Sequence, residues 1–260
     1  MTQPMAGAHG LMKRRWYQDY QKRAAFLFLF PSVALLFVFT VIPFFAAIVL
    51  SFTQWDLLSP PNWVGFQNYE RLTIDSRFKS TFLNTLYYVV GYVPVVTIVS
   101  LLVSLIINER WLRGKVLFRT LYYIPVVISP VAAAMVWSWI YNPAYGFLNT
   151  VLEGLFGTPR QFWVSDARLA IPSLIVMTVW QTFGFNVVIF LAGLLAIPSE
   201  YYEAAMVDGA SKWQQIRRIT LPLLAPTTVL VVIMSIITSF QVFDQVLIIG
   251  GVQGPRRRWK

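Results

Sequence analysis

The sequence contains no cysteine and a single histidine, His9. These absences exclude a disulfide framework and a cysteine-ligated metal site within the chain. The histidine lies in a Gly- and Ala-rich stretch near the N-terminus, where no other metal-ligating residue accompanies it. The composition therefore disfavours metal-dependent chemistry, and we expect no metal and no cofactor in this chain.

Charged residues are also scarce, at 12% of 260 residues, whereas a soluble domain has roughly 25%. They leave five long stretches without charge, each long enough for a spanning helix of about 20 mostly apolar residues. The first stretch far exceeds the apolar region of a signal peptide, so it is expected to be retained. The sequence predicts an all-α integral membrane protein with transmembrane helices at 26–50, 82–107, 120–141, 169–192 and 223–243.

The net charge of +10 does not indicate nucleic-acid binding, because the basic residues concentrate in alternate connections. They precede the first stretch or separate the second from the third and the fourth from the fifth: Lys13, Arg14, Arg15, Lys22, Arg23; Arg110, Arg113, Lys115, Arg119; Lys212, Arg217, Arg218. Loops rich in Lys and Arg face the cytoplasm. This distribution predicts a multi-pass protein with a cytoplasmic N-terminus and cytoplasmic loops at 108–119 and 193–222.

Two further absences narrow the function. No Asp, Glu, Lys or Arg lies deep within the first four predicted helices, which disfavours an ion-coupled mechanism. The Gly114-Lys115 pair does not complete a P-loop, because Glu109 replaces the first glycine and Val116 replaces the Mg²⁺-binding Ser or Thr. No nucleophile–base constellation is visible. We therefore do not expect this chain to be an enzyme.

The most informative feature that is present is a polar segment, residues 197–222, between the last two apolar stretches. Ser199 is a candidate N-cap for a short helix that starts at Glu200. Asp208-Gly209 is typical of a turn, and Ser211-x-x-Gln214 of a capping box that opens a second helix. Pro222 suits the first turn of the next span. From these signals alone, an amphipathic helix that merely joins two spans is an equal alternative.

The spacing of this segment is more specific than its helix signals. Glu203-Ala-Ala, three residues, Gly209, nine residues and Ile219-x-Leu221-Pro222 resemble the cytoplasmic EAA loop of permease subunits of binding-protein-dependent ABC importers. Similarity to the maltose, lactose, trehalose and glycerol-3-phosphate permeases extends over about residues 26–251. It includes Val64-Gly-Phe-Gln-Asn-Tyr69, Phe118 to Pro125, Ser129-Pro130, Trp137 to Tyr145, Gly146-Phe-Leu-Asn149, Trp180 to Asn186, Leu191-Ala-Gly193 and Phe240 to Asp244.

The resemblance implies a prokaryotic inner-membrane subunit that imports a sugar, polyol or glycerol phosphate by alternating access. Its implied partners are a second permease, two ATP-binding cassette subunits that hold ATP and Mg²⁺, and an extracytoplasmic solute-binding protein. The segment would form a coupling helix that docks on an ATPase subunit. The residues implied in this docking are Glu203, Ala204, Ala205, Asp208, Gly209, Ile219, Leu221 and Pro222.

Several polar and aromatic residues in the predicted spans have side chains that suit sugar recognition by hydrogen bonding and ring stacking. We consider as candidates for the substrate path Asn84, Tyr87, Tyr88, Trp180, Gln181, Asn186 and Gln241. For any one of them the alternative is structural, because polar side chains also join helices within membranes.

We expect a basic cytoplasmic tail at 1–23, a permease domain at 24–250 and an atypical basic tail at 251–260. Relatives continue after the fifth helix with an outer loop and a sixth helix, whereas this sequence ends in Arg256-Arg-Arg-Trp-Lys260. A truncation or a change of reading frame is therefore expected. Two alternatives stay open: a secondary transporter that works alone, and an inactive truncated permease.

Overall fold

The computed structural model describes residues 23–109 and 114–253, with side chains to residue 250. The predictions for the two terminal tails lie almost entirely outside these ranges. The chain divides into two compact units, Met1–Phe78 and Lys79–Lys260, with the boundary inside one long helix.

The described part of the first unit begins with one apolar helix, Arg23–Leu50. It contains a π-helical turn, Phe37–Val41, just before Pro43. Because proline has no N–H, it cannot continue the α-helical ladder, and the wider turn accommodates the interruption. No residue of its most apolar window is buried by the chain. The surroundings that suit such a helix are lipid or another subunit.

A small folded module, residues 51–74, follows this span where the sequence predicted an outer loop. Two short antiparallel strands, Thr53–Gln54 and Asn62–Trp63, precede a helix, Gln67–Ile74. The ring of Phe52 packs among three aromatic rings, those of Trp63, Phe66 and Tyr69. The Asn68 amide donates to the carbonyl oxygens of Ser51 and Thr53, both at 2.9 Å. These contacts fix the module to the end of the first span.

The second and fourth predicted spans are single helices, Ser76–Asn108 and Ala170–Leu195. The second starts six residues earlier than the predicted 82, because the polar residues before that position continue the helix. The fourth is the most buried by the chain, with 56% of its most apolar window covered. Close approach is possible at Gly184, which lies against the backbone of Tyr122. The fourth span therefore organises the core.

The third predicted span is broken into Lys115–Val127 and Pro130–Ile140, which meet at 98°. The cause is local: Ser129 adopts an extended conformation, as residues before proline prefer, and its hydroxyl caps the new helix at the N–H of Ala132. The sequence had placed both Pro125 and Pro130 inside one helix. The prediction of a single helix was wrong, although the apolar stretch lies where it was predicted.

The fifth span is bent as well. A helical segment, Lys212–Leu223, meets Ala225–Phe240 at 63°. Pro226 follows the bend and cannot donate the hydrogen bond that would continue the first segment. Among the described residues, three helices are long and apolar enough to cross a membrane, and five if each bent pair is one span. Counted in that way, the five predicted spans are present.

Two further helices lie where the sequence predicted loops. Phe147–Phe156 lies within the connection between the third and fourth spans, and Asp244–Gln253 follows the fifth. The second of them packs against Pro130–Ile140 and buries Ile249. Its paired glycines, Gly250 and Gly251, had favoured a loop. Tertiary packing outweighs their low helix propensity here.

Candidate docking segment and membrane cavity

The polar connector, residues 197–222, begins with the helix Ser199–Val207. Its N-cap is Pro198, not the predicted Ser199, which is already the first helical residue and makes no capping hydrogen bond. The extended conformation of Pro198, with ψ of 135°, ends the preceding turn and leaves Ser199 free to start the helix. The predicted cap was therefore displaced by one residue.

The helix ends in the predicted turn at Asp208-Gly209. Gly209 has φ of +75°, a left-handed conformation that glycine adopts without strain. The N–H of Gly209 donates to the carbonyl of Met206 at 3.1 Å, and that of Ala210 donates to Ala205 at 2.8 Å. This pair of bonds is a Schellman motif, which satisfies carbonyls at the helix end.

The predicted capping box is also present. Ser211 Oγ accepts from the N–H of Gln214 at 3.4 Å, while Gln214 Oε1 accepts from the N–H of Ser211 at 2.7 Å. The helix that follows contains a π-helical turn, Ile216–Thr220. Trp213, which the sequence placed on an apolar stripe, is 67% exposed. The stripe is therefore only partly covered by the chain.

Three longer-range contacts brace the connector. The hydroxyls of Tyr202 and Thr220 lie 3.0 Å apart, which joins its first helix to its second. Gln215 Nε2 donates to the carbonyl of Ala210 at 3.1 Å. The ammonium of Lys212 lies 2.6 Å from Glu109 Oε2, directly after the second span. The connector is thus fastened to itself and to the end of another span.

A groove of about 500 Å³ lies beneath these contacts, between the connector and the ends of the second and fourth spans. Glu203 and Met206 line it from the first helix, and Thr220 lines it from the second. Of the eight docking residues implied by the resemblance, Ala205 and Ile219 are half-buried and the other six are exposed.

The sequence did not predict which apolar side chains of the connector remain exposed. Tyr201, Val207 and Trp213 are 54%, 88% and 67% exposed. Their helical spacing gave no sign of which face the rest of the chain would cover. The bracing residues Tyr202, Lys212 and Thr220 were missed as well, because their partners are distant in sequence.

A cavity of about 270 Å³ lies within the membrane-spanning part. It is formed by the second to fifth spans with the helix Asp244–Gln253, and most of its lining is apolar. Its polar lining residues are Tyr92, Gln181, Thr182, Asn186, Ser235, Thr238 and Gln245. All seven carry hydroxyl or amide groups, and none of them has a formal charge.

Gln181 joins three structural elements at this cavity. Its Nε2 donates to the carbonyl of Ile128 at 3.1 Å, at the break in the third span. Its Oε1 accepts from Gln245 Nε2 at 3.3 Å. The break removes the Ile128 carbonyl from the regular helical ladder, so a side-chain donor satisfies it within an apolar region.

Two other hydrogen bonds cross the cavity wall. Asn186 Nδ2 donates to Ser235 Oγ at 3.2 Å, linking the fourth and fifth spans. The hydroxyls of Tyr92 and Thr182 lie 2.8 Å apart and link the second span to the fourth. The fourth span therefore holds the cavity together through amide and hydroxyl groups.

Only two of the seven candidate substrate-path residues line this cavity, Gln181 and Asn186. Trp180 packs edge-on against Trp137, and Tyr88 is buried and stacks on Tyr92. The other three, Asn84, Tyr87 and Gln241, are exposed and lie outside the cavity lining. The missed lining residues include Ser235 and Gln245. Gln245 was missed because its helix had been interpreted as a loop.

Comparison with known proteins adds a family match. The model of the family described as "Binding-protein-dependent transport system inner membrane component" matches residues 73–258. The "Probable ABC transporter permease protein YesP" of Bacillus subtilis (strain 168) is 36% identical over 96% of this chain and 80% of its own length. The "Trehalose/maltose transport system permease protein MalF" of Thermococcus litoralis is 32% identical over 89% and 78%.

A solved structure has the same fold. It is a chain of a bacterial ABC transporter involved in the import of the acidic polysaccharide alginate, with a TM-score of 0.80 and 24% identity. The match covers 95% of this chain and 82% of that one. The all-α membrane fold predicted from the sequence is confirmed by this likeness.

Proposed function

The chain belongs to the family of binding-protein-dependent transport system inner membrane components, and from that premise we propose that it imports a carbohydrate by ATP-driven alternating access. Relatives named for trehalose and maltose, starch degradation products and arabinooligosaccharides support the substrate class. Its partners would be a second permease, two ATPase subunits and an extracytoplasmic solute-binding protein. A solved relative is in complex with a periplasmic protein, which supports the last of these.

The observation that carries this proposal is that the connector has a fixed backbone and exposed apolar side chains. Its two helices are closed by a Schellman motif and a capping box, so the backbone between them is fixed. Large apolar side chains, Tyr201, Val207 and Trp213, nevertheless lie uncovered. A rigid segment with an unoccupied apolar surface suits a protein partner. Because the connector lies between the fourth and fifth spans, the partner that fits the family is the ATPase, on the cytoplasmic side.

The bracing contacts would transmit movement from a docked ATPase to the membrane spans. The Lys212–Glu109 ion pair joins the connector to the second span. The Tyr202–Thr220 contact joins the first connector helix to the helical segment Lys212–Leu223, which leads into the fifth span. Movement of a docked ATPase would therefore displace the ends of these spans together. Rigid-body displacement of this kind is one of the established ways to switch a protein between two states. We infer that this displacement opens the cavity alternately to the two sides of the membrane.

The cavity has the chemistry of a sugar path. Sugars offer hydroxyl groups that both donate and accept, and Gln181, Asn186 and Ser235 provide complementary neutral groups. Its 270 Å³ lie below the roughly 300–1,000 Å³ of typical ligand sites. In this conformation it would hold a small unit rather than a long oligosaccharide.

Docking predicts that an ATPase partner shields the connector. We expect Val207→Cys, the only cysteine in such a variant, to react readily with a maleimide because its side chain is 88% exposed. Adding the ATPase subunits should slow this labelling. Leu155→Cys is the matched control, since Leu155 is 72% exposed on the helix Phe147–Phe156, on the predicted opposite side of the membrane. Equal labelling of Val207→Cys with and without the ATPase would contradict docking at this surface.

The cavity proposal predicts a transport defect for Asn186→Ala. This change removes the donor to Ser235 and a group available to sugar hydroxyls. Loss of about 1–3 kcal/mol of polar interaction corresponds to a fall in uptake of roughly 5- to 150-fold. Uptake of radiolabelled sugar into proteoliposomes measures it. Ser104→Ala is the control, because Ser104 is equally buried but bonds only to its own helix and lies outside the cavity lining. Similar uptake by the two variants would contradict the assignment.

A further inference from the structure

The module after the first span carries an apolar loop, residues 55–61, between its two strands. Leu57 and Leu58 at its tip are 76% and 95% exposed, and Trp55 is 45% exposed. Only four residues separate Trp55 from Leu50, the last residue of the span. The exposed apolar residues of the loop therefore follow the apolar span closely in sequence.

The loop backbone is held in an unfavourable conformation that presents these leucines. Leu57 has φ of +68°, and it is the one non-glycine residue with positive φ in the part of the chain that the structure describes. The left-handed region is disfavoured for a bulky residue. Asp56 maintains it, because Asp56 Oδ1 accepts from the N–H of Leu58 at 3.1 Å and from the N–H and hydroxyl of Ser59 at 2.8 and 2.7 Å.

Several donors of the loop have partners within the loop. The indole N–H of Trp55 donates to the carbonyl of Ser59 at 2.7 Å. The Asp56 carboxylate accepts from Leu58 and Ser59. Pro60 and Pro61 have no N–H that would need a partner. These donors would therefore not lose hydrogen bonds with water if the tip entered the membrane interface.

We propose that residues 55–61 form a membrane-interface anchor. The tip leucines enter the boundary between lipid headgroups and acyl chains at the face where the first span ends, and Trp55 lies at headgroup level, where tryptophan is enriched. The anchor fixes the depth of the first span in the membrane. It does not depend on what the protein transports.

The bilayer is a better occupant than another protein because the tip follows, close in sequence, the end of an apolar helix that is long enough to cross a membrane. A solute-binding protein is the competing occupant, and the two give different experimental results.

Because the chain has no cysteine, a single environment-sensitive fluorophore can be attached to Leu58→Cys in the full chain. In phosphatidylcholine liposomes we expect a blue-shifted emission and quenching by lipids brominated near the headgroup. Arg71→Cys is the matched control, because Arg71 is charged and exposed on the neighbouring helix Gln67–Ile74. Quenching at position 58 should exceed that at position 71.

A second variant tests whether the loop is built for this purpose. Asp56→Ala in the Leu58→Cys background removes the acceptor that holds Leu57, so the label should move towards water and its lipid quenching should fall. Lipid quenching at position 58 no stronger than at 71 would overturn the anchor. So would a water-like emission that becomes blue-shifted only when the purified solute-binding protein is added.

Discussion

Replacing Gly184 by alanine is expected to destabilise the membrane domain strongly. A Cβ at this position would overlap the carbonyl oxygen of Tyr122, and it would lie 3.1 Å from Val126 Cγ2. The oxygen belongs to the backbone of Lys115–Val127 and cannot rotate away. The two helices would have to separate, at a cost of about 1–3 kcal/mol or more, and the cavity between them would be distorted. Thermal unfolding in detergent and the yield of monodisperse protein measure the loss.

Two other glycines provide graded controls for this experiment. At Gly91 an added Cβ would lie 2.6 Å from Ile175 Cδ1, the flexible end of a side chain, so Gly91→Ala should cost less. At Gly154, inside Phe147–Phe156, nothing lies within 4 Å. Gly154→Ala should be neutral or stabilising by up to about 1 kcal/mol, because alanine favours helix. If Gly184→Ala were no less stable than Gly154→Ala, the close approach of the two helices would be wrong.

This glycine contact illustrates which parts of the fold the sequence could predict. The apolar stretches were identifiable because a charged residue within the bilayer is costly. A stretch of about 20 residues without charge therefore indicates a spanning helix. Gly184, in contrast, carries no sign of which backbone it meets. That information depends on how the third span bends, and the bend at Ile128–Ser129 was not predicted from Pro125 and Pro130.

The same distinction applies within the connector. Its turn and capping box were predicted because each depends on contacts between residues at most five apart, with strong preferences at each position. Its bracing was not predicted. Lys212 and Glu109 are separated by 103 positions, and no short-range preference connects them. Gln181 was a candidate for its chemistry, while its role at the broken third span depended on the fold.

The left-handed glycine that ends the first connector helix gives the second large effect. Gly209→Ala should abolish most of the coupled uptake while leaving membrane insertion intact. No atom lies within 4 Å of an added Cβ, so the change introduces no clash. It does force alanine into φ of +75°, which costs roughly 1–2 kcal/mol. The helix end would relax, tilting the Tyr201 and Val207 side chains away from the geometry that receives the ATPase.

Gly157→Ala separates this effect from the strain itself. Gly157 ends Phe147–Phe156 with φ of 62°, and a Cβ there also meets no atom within 4 Å. Both variants therefore introduce similar backbone strain and should lose similar thermal stability. Only Gly209 lies on the connector, so only Gly209→Ala should lower sugar uptake per ATP hydrolysed in proteoliposomes. A differential cost of about 1.4 kcal/mol corresponds to roughly a tenfold change.

One outcome of comparing Gly209→Ala with Gly157→Ala would contradict the docking role of the connector. Equal uptake by the two variants at equal stability would mean that the geometry of the connector does not matter for transport, and docking would then have to be sought elsewhere on the chain. A loss confined to Gly209→Ala, with ATP hydrolysis still running, requires that the backbone at Gly209 transmits work from outside the chain. Because Lys212 fastens the following helix to Glu109, such work would reach the second span as well as the fifth. These two spans supply Tyr92 and Ser235 to the hydrogen bonds of the cavity wall.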